Sequence, residues 1–221
     1  MSSRIGKPVG ILGGMFDPIH YGHLRPALEI LQTLALDHVR FVPCADPPHR
    51  PAPATPAALR AALVAAAIAD QPGFVLDERE LHRPGPSYTV DTLHDLRREF
   101  SATPLCLLLG MDAFLGLPRW HRWEQLLELA HVVVMHRPGS AVPAEGALAA
   151  LLAARRVGEA ARLAELPAGN IYLQAVTQLE ISSTAVRAAC AAGRSPRYLL
   201  PDAAWQLIQQ HDLYGAQHVE V

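Results

Sequence analysis

The chain has 221 residues, half of them hydrophobic, and a formal net charge of -2 at pH 7. This composition predicts one domain over residues 1–221 with a full core, and it argues against a nucleic-acid partner, which would need a basic face. No apolar run approaches about 20 residues, so we expect no transmembrane helix and no membrane partner. No apolar signal core follows the basic N-terminus, so a cytoplasmic location is the default expectation.

Hydrophobic periodicity predicts alternating strands and helices over the first 136 residues. The predicted strands cover residues 8–13, 39–42, 74–76, 104–109 and 131–136. The predicted helices cover residues 21–36, residues 56–70, a stretch capped by Ser87 or Thr89 that ends at 100, and a short segment that ends at 130. This order is typical of a parallel sheet, and it predicts an α/β fold with a Rossmann-like, doubly wound parallel sheet.

The last third of the chain is less regular. The elements predicted there are one or two surface helices within the Ala- and Leu-rich residues 141–168, a strand at 171–173, a helix at 181–192 that Gly193 ends, and a helix at 201–211. We therefore expect a parallel-sheet core over residues 1–180 and a small C-terminal helical region over residues 181–221.

The cysteine and lysine content restricts the chemistry that this chain can perform. Cys44, Cys106 and Cys190 share no metal-type spacing, and an odd number of cysteines does not suit a disulfide framework. Lys7 is the only lysine, so nearly all fixed positive charge is arginine. An anion site must therefore use arginine, histidine or backbone N–H groups.

A glycine turn follows the first predicted strand. Gly10, Gly13 and Gly14 fit neither the Gly-x-Gly-x-x-Gly dinucleotide fingerprint nor a P-loop. Glycines in this position nevertheless let a phosphate approach the backbone, and the N-terminus of the next helix offers free N–H groups. The alternative is a plain turn that binds nothing.

Two histidines stand at the start of that helix. His20 and His23, three residues apart, can face the same side and donate N–H groups to a phosphate. Gly22 between them is predicted to remove a side chain that would crowd the ligand. Two surface histidines are the alternative, and a zinc site is disfavoured because no third ligand stands at the expected spacing.

Two stretches resemble a known superfamily. The first covers residues 13–23, Gly-Gly-Met-Phe-Asp-Pro-Ile-His-Tyr-Gly-His, and resembles the signature of the HxGH nucleotidyltransferases. The second covers residues 181–187, Ile-Ser-Ser-Thr-Ala-Val-Arg, and is similar to the second motif of that superfamily. Further stretches extend the resemblance, over essentially the whole chain, to the bacterial nicotinate mononucleotide adenylyltransferase family: residues 47–50, 86–93 and 110–114, and Trp120.

The resemblance implies an activity and a set of site residues. The family joins nicotinate mononucleotide to the adenylyl group of ATP, giving deamido-NAD and pyrophosphate in NAD biosynthesis, with Mg²⁺ held mainly by the ATP phosphates and no protein metal ligands. The implied catalytic residues are His20, His23, Arg50 and Arg187. The implied ATP-binding residues are Gly14, Met15, Phe16, His20, His23, Gly110, Asp112, Ile181, Ser182, Thr184 and Arg187. The implied nicotinate mononucleotide-binding residues are Phe16, Arg50, Tyr88, Thr89, Trp120 and Arg137.

Ordinary chemistry is compatible with these implied roles. Trp120 would stack on the electron-poor pyridine ring, Asp112 would bind the adenosine ribose, and Arg187 would hold the outgoing pyrophosphate. Each also has a structural alternative. Trp120 could be a core aromatic residue, Asp112 a helix cap and Arg187 a solvated arginine. Ser182 could likewise serve only as a helix cap. Three other histidines are expected to be structural: His121, His131 and His136.

Two residues depart from the family pattern. Met15 stands where the family more often has Thr or Ser, and a lost hydroxyl contact would weaken ATP binding modestly. Arg50 stands where many relatives have Lys, and arginine keeps the charge while adding a planar fork. The sequence leaves open whether the acceptor is nicotinate mononucleotide, nicotinamide mononucleotide or a phosphopantetheine. It also leaves open a homo-oligomer, and a non-catalytic nucleotide-binding regulator is the alternative from another class.

Overall fold

The computed structural model describes residues 6–48, 53, 55–137, 139 and 142–218. Seven strands form one sheet: β1 (Val9–Gly14), β2 (His38–Pro43), β3 (Phe74–Leu76), β4 (Leu105–Gly110), β5 (His131–His136), β6 (Arg156–Val157) and β7 (Ile171–Ala175). In this part of the chain the helices are α1 (Tyr21–Thr33), α2 (Ala57–Ile68), α3 (Thr89–Glu99), α4 (Met111–Leu115), α5 (Leu126–Leu129), α6 (Gly146–Arg155), α7 (Ser183–Ala191) and α8 (Asp202–Gln210).

The strand order across the sheet is β3-β2-β1-β4-β5-β7-β6, and every strand pair is parallel. Val9 at the start of β1 lies opposite His38 on β2 and opposite Leu105 on β4. The chain runs outward in one direction from β1 and in the other direction from β4. This reversal leaves a crevice beyond the carboxyl ends of the two strands, where ligands of such folds bind. The predicted Rossmann-like, doubly wound sheet is confirmed.

The core has two halves, one on each face of the sheet. Cys106 and Leu108 of β4 pack into the half that α1, α2, α7 and α8 cover. The alternate residues Leu105, Leu107 and Leu109 pack into the half that α3, α5 and α6 cover. Because each central strand is buried on both faces, its sequence is almost continuously apolar.

Most predicted elements are confirmed to within a few residues, and α1 is one that ends early. It stops at Thr33 rather than at residue 36. Ala35 adopts a left-handed backbone conformation with φ of 47°, and the N–H of Leu36 donates to the carbonyl of Leu31. Hydrogen bonds of this type close the C-terminus of a helix and prevent its continuation.

Three local predictions were wrong or incomplete. The N-cap of α3 is Tyr88 rather than Ser87 or Thr89, because the Ser87 hydroxyl instead accepts the backbone N–H groups of Ala45 and Asp46. The region 141–168 contains α6 as expected, but it also contributes β6. The two residues of β6 pair with β7 at the edge of the sheet, and so short an element has no periodicity to detect. The 3₁₀ segment Leu213–His218 was not predicted.

Two further observations bear on the expectations from composition. All three cysteines are free thiols, and Cys106 and Cys190 are buried. Among the residues that the structure describes, no helix is both long and apolar enough to cross a membrane.

Candidate active site

A cleft of about 330 Å³ opens between the carboxyl ends of β1 and β4, where the strand order reverses. Gly13 borders the cleft on β1 and Gly110 borders it on β4. A Cβ atom built on either glycine would meet no atom within 4 Å. The backbone of both strands is therefore open to a ligand at this edge. His23, Trp120 and Gln178 also line the cleft.

Phe16 anchors the turn that follows β1. Its backbone lies in the left-handed region with φ of 47°, and its side chain is 1% exposed. The ring covers Gly14, where a Cβ would lie 2.9 Å from ring atom Cε1, and it meets the His23 ring edge-on with centroids 5.2 Å apart. The Phe16 ring therefore belongs to the core. Phe16 was predicted to bind both nucleotides, and its 1% exposure leaves little of the residue for either ligand to contact.

His20 and His23 form a stacked pair at the start of α1. Their ring centroids are 3.8 Å apart, and the His20 side chain is buried, so the alternative of two surface histidines is wrong for His20. The Nδ1 atom of His23 accepts the backbone N–H of His20 at 3.4 Å. In the neutral imidazole the proton then lies on Nε2 of His23. Nδ1 of His20 is buried and has no hydrogen-bond partner among the described residues.

Burial keeps both imidazoles neutral at pH 7. Burial lowers the pKa of His20 to about 4. Burial, together with the neighbouring His20, lowers the pKa of His23 to about 3. The ordinary histidine pKa is 6.5, so the free protein holds two uncharged N–H donors here rather than two cations.

These lowered pKa values predict a pH-dependent stability. Between about pH 6.5 and pH 3 the unfolded chain binds more protons than the folded chain, so the free energy of unfolding falls as the pH falls through this window. Each histidine contributes up to about 1.4 kcal/mol per pH unit. Urea unfolding at a series of pH values between 7.5 and 4.5 measures the effect.

The double variant His20→Gln/His23→Gln provides the control for this prediction. Burial also lowers the pKa of His131, so His131 makes the free energy of unfolding fall with falling pH in both wild type and double variant. The difference between wild type and double variant therefore isolates His20 and His23. We expect a flatter profile in the double variant, and two parallel profiles would contradict the assignment of neutral buried imidazoles.

Gly22 is required by the protein itself. A Cβ atom at Gly22 would lie 2.9 Å from Cε1 and Nδ1 of the His20 ring and 2.9 Å from the carbonyl oxygen of Ile181. Gly22 also lines the cleft, so the expectation that it leaves room for a ligand stays a prediction. The same glycine lets the His20 ring and the start of the second motif pack against α1.

The second motif packs directly on the first, although some 165 residues separate them. The Ser183 hydroxyl donates to the carbonyl of Pro18 at 2.9 Å. Arg187 Nη1 donates to the carbonyl of Asp17 at 2.6 Å, and Nη2 reaches the Thr184 hydroxyl at 3.4 Å. The two stretches thus form one site. Ser183 was not singled out from the sequence, although it lies within the motif.

The Ser182 side chain acts as the N-cap of α7. Its hydroxyl accepts the backbone N–H of Ala185 at 3.1 Å, as the capping alternative proposed. Ser182 and Thr184 are both exposed, so a ligand at this helix N-terminus can still reach their hydroxyl groups.

The predicted ribose-binding residues lie at the end of β4. Gly110 is the last residue of β4 and precedes α4, and Asp112 stands exposed in the first turn of that helix. An acidic residue in the first turn also interacts favourably with the helix dipole, so the capping alternative and the ligand role are compatible.

Of the three residues predicted to form the pyridine pocket besides Phe16, Arg50 and Arg137, only Trp120 lines the cleft. Trp120 lines the cleft and also packs against the second core half, so it is both a core aromatic residue and a cleft residue. Tyr88 and Thr89 stand at the start of α3, and the Tyr88 ring packs against that of His121 in a tilted arrangement with centroids 4.2 Å apart. His121 was expected to be structural, and it is exposed with its ring against that of Tyr88.

The other two histidines expected to be structural make local backbone contacts. His131 is buried, and its Nδ1 accepts the N–H of Asn170 at 3.0 Å. His136 Nδ1 lies 2.7 Å from the carbonyl oxygen of Arg137. Neither residue lines the cleft.

Arg137 does not itself line the Trp120 cleft, but it contacts Gln178, which does. Its guanidinium pairs with Glu180 at 2.8 Å and with the side-chain oxygen of Gln178 at 3.0 Å. It borders a second, more open cleft of about 590 Å³ at the end of β7, which shares Gln178 with the first. The remaining predicted residue, Arg50, lies outside the described residues.

A chain of side-chain hydrogen bonds that was not predicted connects the first motif to the C-terminal segment. The Asp17 carboxylate accepts the hydroxyl of Tyr214 at 2.5 Å, and the Tyr214 oxygen accepts the hydroxyl of Thr55 at 3.1 Å. Burial and the bond to Asp17 raise the pKa of Tyr214 well above its ordinary value. The C-terminal segment is therefore fastened to the loop that carries the histidines. Periodicity has no signal for such contacts, because they join distant parts of the chain.

Comparison with known proteins agrees with this geometry. The model of the cytidylyltransferase-like family matches residues 11–189, which span both motifs. Probable nicotinate-nucleotide adenylyltransferases are among the curated relatives. The one from Halorhodospira halophila is 53% identical over 209 residues, covering 95% of this chain and 96% of the relative. The one from Methylococcus capsulatus is 50% identical and covers 94% and 99%.

Solved structures show the same fold at low sequence identity. The nicotinic acid mononucleotide adenylyltransferase of Plasmodium falciparum, complexed with APC, aligns with a TM-score of 0.70 at 18% identity, covering 95% of this chain and 98% of that chain. The same protein complexed with NaAD aligns with a TM-score of 0.68. The fold and the paired motifs define a nucleotidyltransferase. The chain belongs to the cytidylyltransferase-like family and, within it, to the nicotinate-nucleotide adenylyltransferases.

Proposed function

We propose that this chain transfers the adenylyl group of ATP to nicotinate mononucleotide, giving deamido-NAD and pyrophosphate. One observation carries the proposal: α7 binds the carbonyl groups of Asp17 and Pro18 beside an open cleft that His23 and Trp120 line. A reaction between two polyanionic substrates needs a site where N–H donors converge on the phosphates and an aromatic side chain can stack on a base or pyridine ring. The names of the relatives support the same reaction.

ATP would lie along the edge formed by the ends of β1 and β4. Its triphosphate would rest on the backbone of residues 13–16, between the His20–His23 pair and the N-terminus of α7. Its ribose would meet Gly110 and Asp112. The neutral imidazoles can donate N–H hydrogen bonds to the triphosphate when it first binds. The bound triphosphate then favours their protonation, because nearby negative charge raises a histidine pKa.

Nicotinate mononucleotide would bind from the side of α3. Its electron-poor ring would stack on Trp120, with Tyr88 and Thr89 at the wall of the pocket. The N-terminus of α3 offers backbone N–H groups to an anion such as the nicotinate carboxylate. Arg137 would have to exchange Glu180 for a substrate phosphate in order to join this site.

The reaction needs alignment more than it needs a base. An oxygen of the mononucleotide phosphate attacks the α-phosphorus of ATP and forms the new P–O bond. The bond from the α-phosphorus to the bridging oxygen breaks, and pyrophosphate leaves with its electron pair. A phosphate is already a nucleophile at neutral pH, so the protein's part is to hold the groups in line and to stabilise the developing charge. His23 Nε2–H and Arg187 are the donors proposed for that task.

Magnesium would enter with ATP as part of the substrate. No residue that lines the described cleft is acidic. A lining without carboxylates fits a metal ion that the phosphate oxygens hold. Mg²⁺ in that position would neutralise part of the phosphate charge.

Location and partners stay predictions. The relatives' names and the solved complexes support small-molecule substrates. We propose ATP and nicotinate mononucleotide as those substrates, no nucleic-acid or membrane partner, and a cytoplasmic location.

A pyrophosphate-release assay with MgATP tests the proposal. The acceptors to compare are nicotinate mononucleotide, nicotinamide mononucleotide and phosphopantetheine. We expect the highest kcat/KM with nicotinate mononucleotide. A preference for nicotinamide mononucleotide would overturn the acceptor assignment alone. Absence of turnover with all three acceptors would overturn the proposed reaction.

Replacing Gly13 with alanine is expected to weaken ATP binding while leaving the stability of the fold nearly unchanged. The new methyl group meets no protein atom within 4 Å, so we expect the free energy of unfolding to change by less than about 1 kcal/mol. The same methyl group occupies the cleft, and the KM for ATP should rise by about 10-fold or more.

Gly158→Ala is the matched control for this prediction. Gly158 is exposed beyond β6, and its added Cβ would also meet no atom within 4 Å. We expect wild-type kinetics from this variant. A Gly13→Ala protein with an unchanged KM for ATP would contradict the proposed position of the triphosphate.

A further inference from the structure

Arg60 on α2 is a fully buried arginine, with 0% of its surface exposed. Its guanidinium donates to the carbonyl oxygens of Met15 and Cys44, each at 2.6 Å, to that of Thr55 at 3.2 Å, and to that of Ala45 at 3.5 Å. Met15 belongs to the first motif, and Cys44 follows β2. One side chain from a different element therefore holds together the ends of two central strands.

The partners of Arg60 are unusual for a buried cation. A buried charge is costly unless it is paired and hydrogen-bonded. Among the described residues, no carboxylate lies within ion-pair distance of Arg60, and its partners there are backbone carbonyl groups. No anionic side chain is in contact with its guanidinium, and Asp17, which interacts with Arg60 at longer range, is itself hydrogen-bonded to Tyr214. The charge remains directly below the turn at residues 14–16, which an anionic ligand would approach from the cleft.

The carbonyl groups of this loop are bound by other parts of the protein. The carbonyl of Gly14 accepts the N–H of Cys44 at 2.9 Å, and that of Met15 accepts from Arg60. Those of Asp17 and Pro18 accept from α7, as described above. The negative ends of four peptide groups are thus taken up within the protein.

The geometry of the Met15–Phe16 peptide group sets the direction of its N–H donor. The C=O and N–H groups of a trans peptide point in opposite directions, and the Met15–Phe16 peptide is trans. Because the Met15 carbonyl points to Arg60, the N–H of Phe16 points away from that buried guanidinium. An anion at a turn of this kind is bound by backbone N–H groups that point outward together.

We propose that Arg60 is a positioning residue for the phosphate-binding turn. It holds the Met15 carbonyl inward, so that the neighbouring N–H groups face the ATP phosphates, and it keeps a fixed positive charge below them. This inference rests on the proposed function, from which ATP is taken as the ligand. The sequence had a signal for it, since Arg60 is the only charged residue between residues 57 and 69 of an otherwise apolar helix.

Arg97 offers a matched control within the same chain. Its guanidinium also donates to carbonyl groups, those of Leu129, Phe100, Thr103 and Pro167. Three of these residues precede β5, β4 and β7, so Arg97 lies at the opposite edge of the sheet from the cleft. Arg97→Met removes the same type of contact without touching the proposed site.

The test compares wild type with the variants R60M, R60K and R97M. The affinity for MgATP is measured by calorimetry, and KM is measured separately for ATP and for nicotinate mononucleotide. We expect R60M to bind MgATP about 10- to 100-fold more weakly, the scale of losing charge-assisted hydrogen bonds. The KM for nicotinate mononucleotide should stay within about twofold. R60K should recover part of the affinity, because it keeps the charge but not the planar fork.

The controls make each outcome decisive. R97M should unfold at lower temperature than wild type yet bind MgATP within about twofold. Folded R60M with wild-type ATP affinity, or equal losses in R60M and R97M, would overturn the inference. If R60M does not fold, R60K takes its place, with an expected loss of about 3- to 10-fold, and unchanged affinity in R60K would overturn the inference.

Failure of this inference differs from failure of the proposed function. A wild-type protein that binds MgATP but transfers nothing to nicotinate mononucleotide would overturn the function and leave the role of Arg60 standing, provided that R60M binds more weakly. Normal wild-type turnover with full ATP affinity in R60M would overturn the role of Arg60 alone.

Discussion

Replacing His23 with alanine is expected to lower turnover by about 10²-fold or more while the fold is kept, the scale of losing one donor at a developing charge. His23 is neutral at pH 7, and its Nδ1 already accepts the N–H of His20, which leaves Nε2–H as the donor available to the α-phosphate. Alanine has no donor at that place. The KM for nicotinate mononucleotide should change little, because the proposed pyridine pocket lies at Trp120.

The measurement is steady-state pyrophosphate release at saturating MgATP and nicotinate mononucleotide, together with thermal unfolding. His94→Ala is the matched control. His94 is exposed on α3, so this substitution removes an imidazole that lies outside the cleft. We expect that control to retain wild-type turnover. A His23→Ala protein that turned over normally would remove His23 from the mechanism.

Replacing Gly22 with alanine is expected to damage both the fold and the chemistry. The added methyl group would lie 2.9 Å from the Ile181 carbonyl and from the buried His20 ring, and neither can withdraw freely. Overpacking of this type costs about 1–3 kcal/mol of stability. The two motifs would also be pushed apart, and a displacement of about 1 Å between reacting groups can cost about 10²-fold in rate.

Urea unfolding and the pyrophosphate assay measure the two effects of Gly22→Ala. Gly158→Ala serves again as the control, because it makes the same chemical change at a surface glycine with open space around it. A Gly22→Ala protein with wild-type stability would show that the packing of His20 against the second motif is looser than the structure indicates. Wild-type turnover in the same variant would contradict the contact between the motifs as a condition for activity.

Local patterns were sufficient for most of the fold. A strand buried on both faces is almost continuously apolar, and β4 and β5 were predicted for that reason to within one residue. Elements without periodicity were missed or misplaced. The edge strand β6 has two residues, and the end of α1 depends on a left-handed residue, Ala35, that no sequence pattern announces.

The candidate site divides in the same way. The two motifs and Trp120 were selected from the sequence, and the structure brings His23, Trp120 and the backbone of Gly13 to one cleft. Of the residues that hold them, Arg187 was selected, whereas Arg60 and Tyr214 were not, because their contacts join positions far apart in the chain. Arg60 meets Met15 across 45 residues, and Tyr214 meets Asp17 across 197.

The chain by itself determined the class of fold, the two motifs and the family they resemble, since these depend on residue type and spacing over short stretches. Only the tertiary structure decided how the residues of the motifs pack. It assigned the Phe16 ring to the core and Gly22 to the packing of His20. It also buries both histidines, which lowers their pKa values, because burial depends on elements that lie distant in sequence.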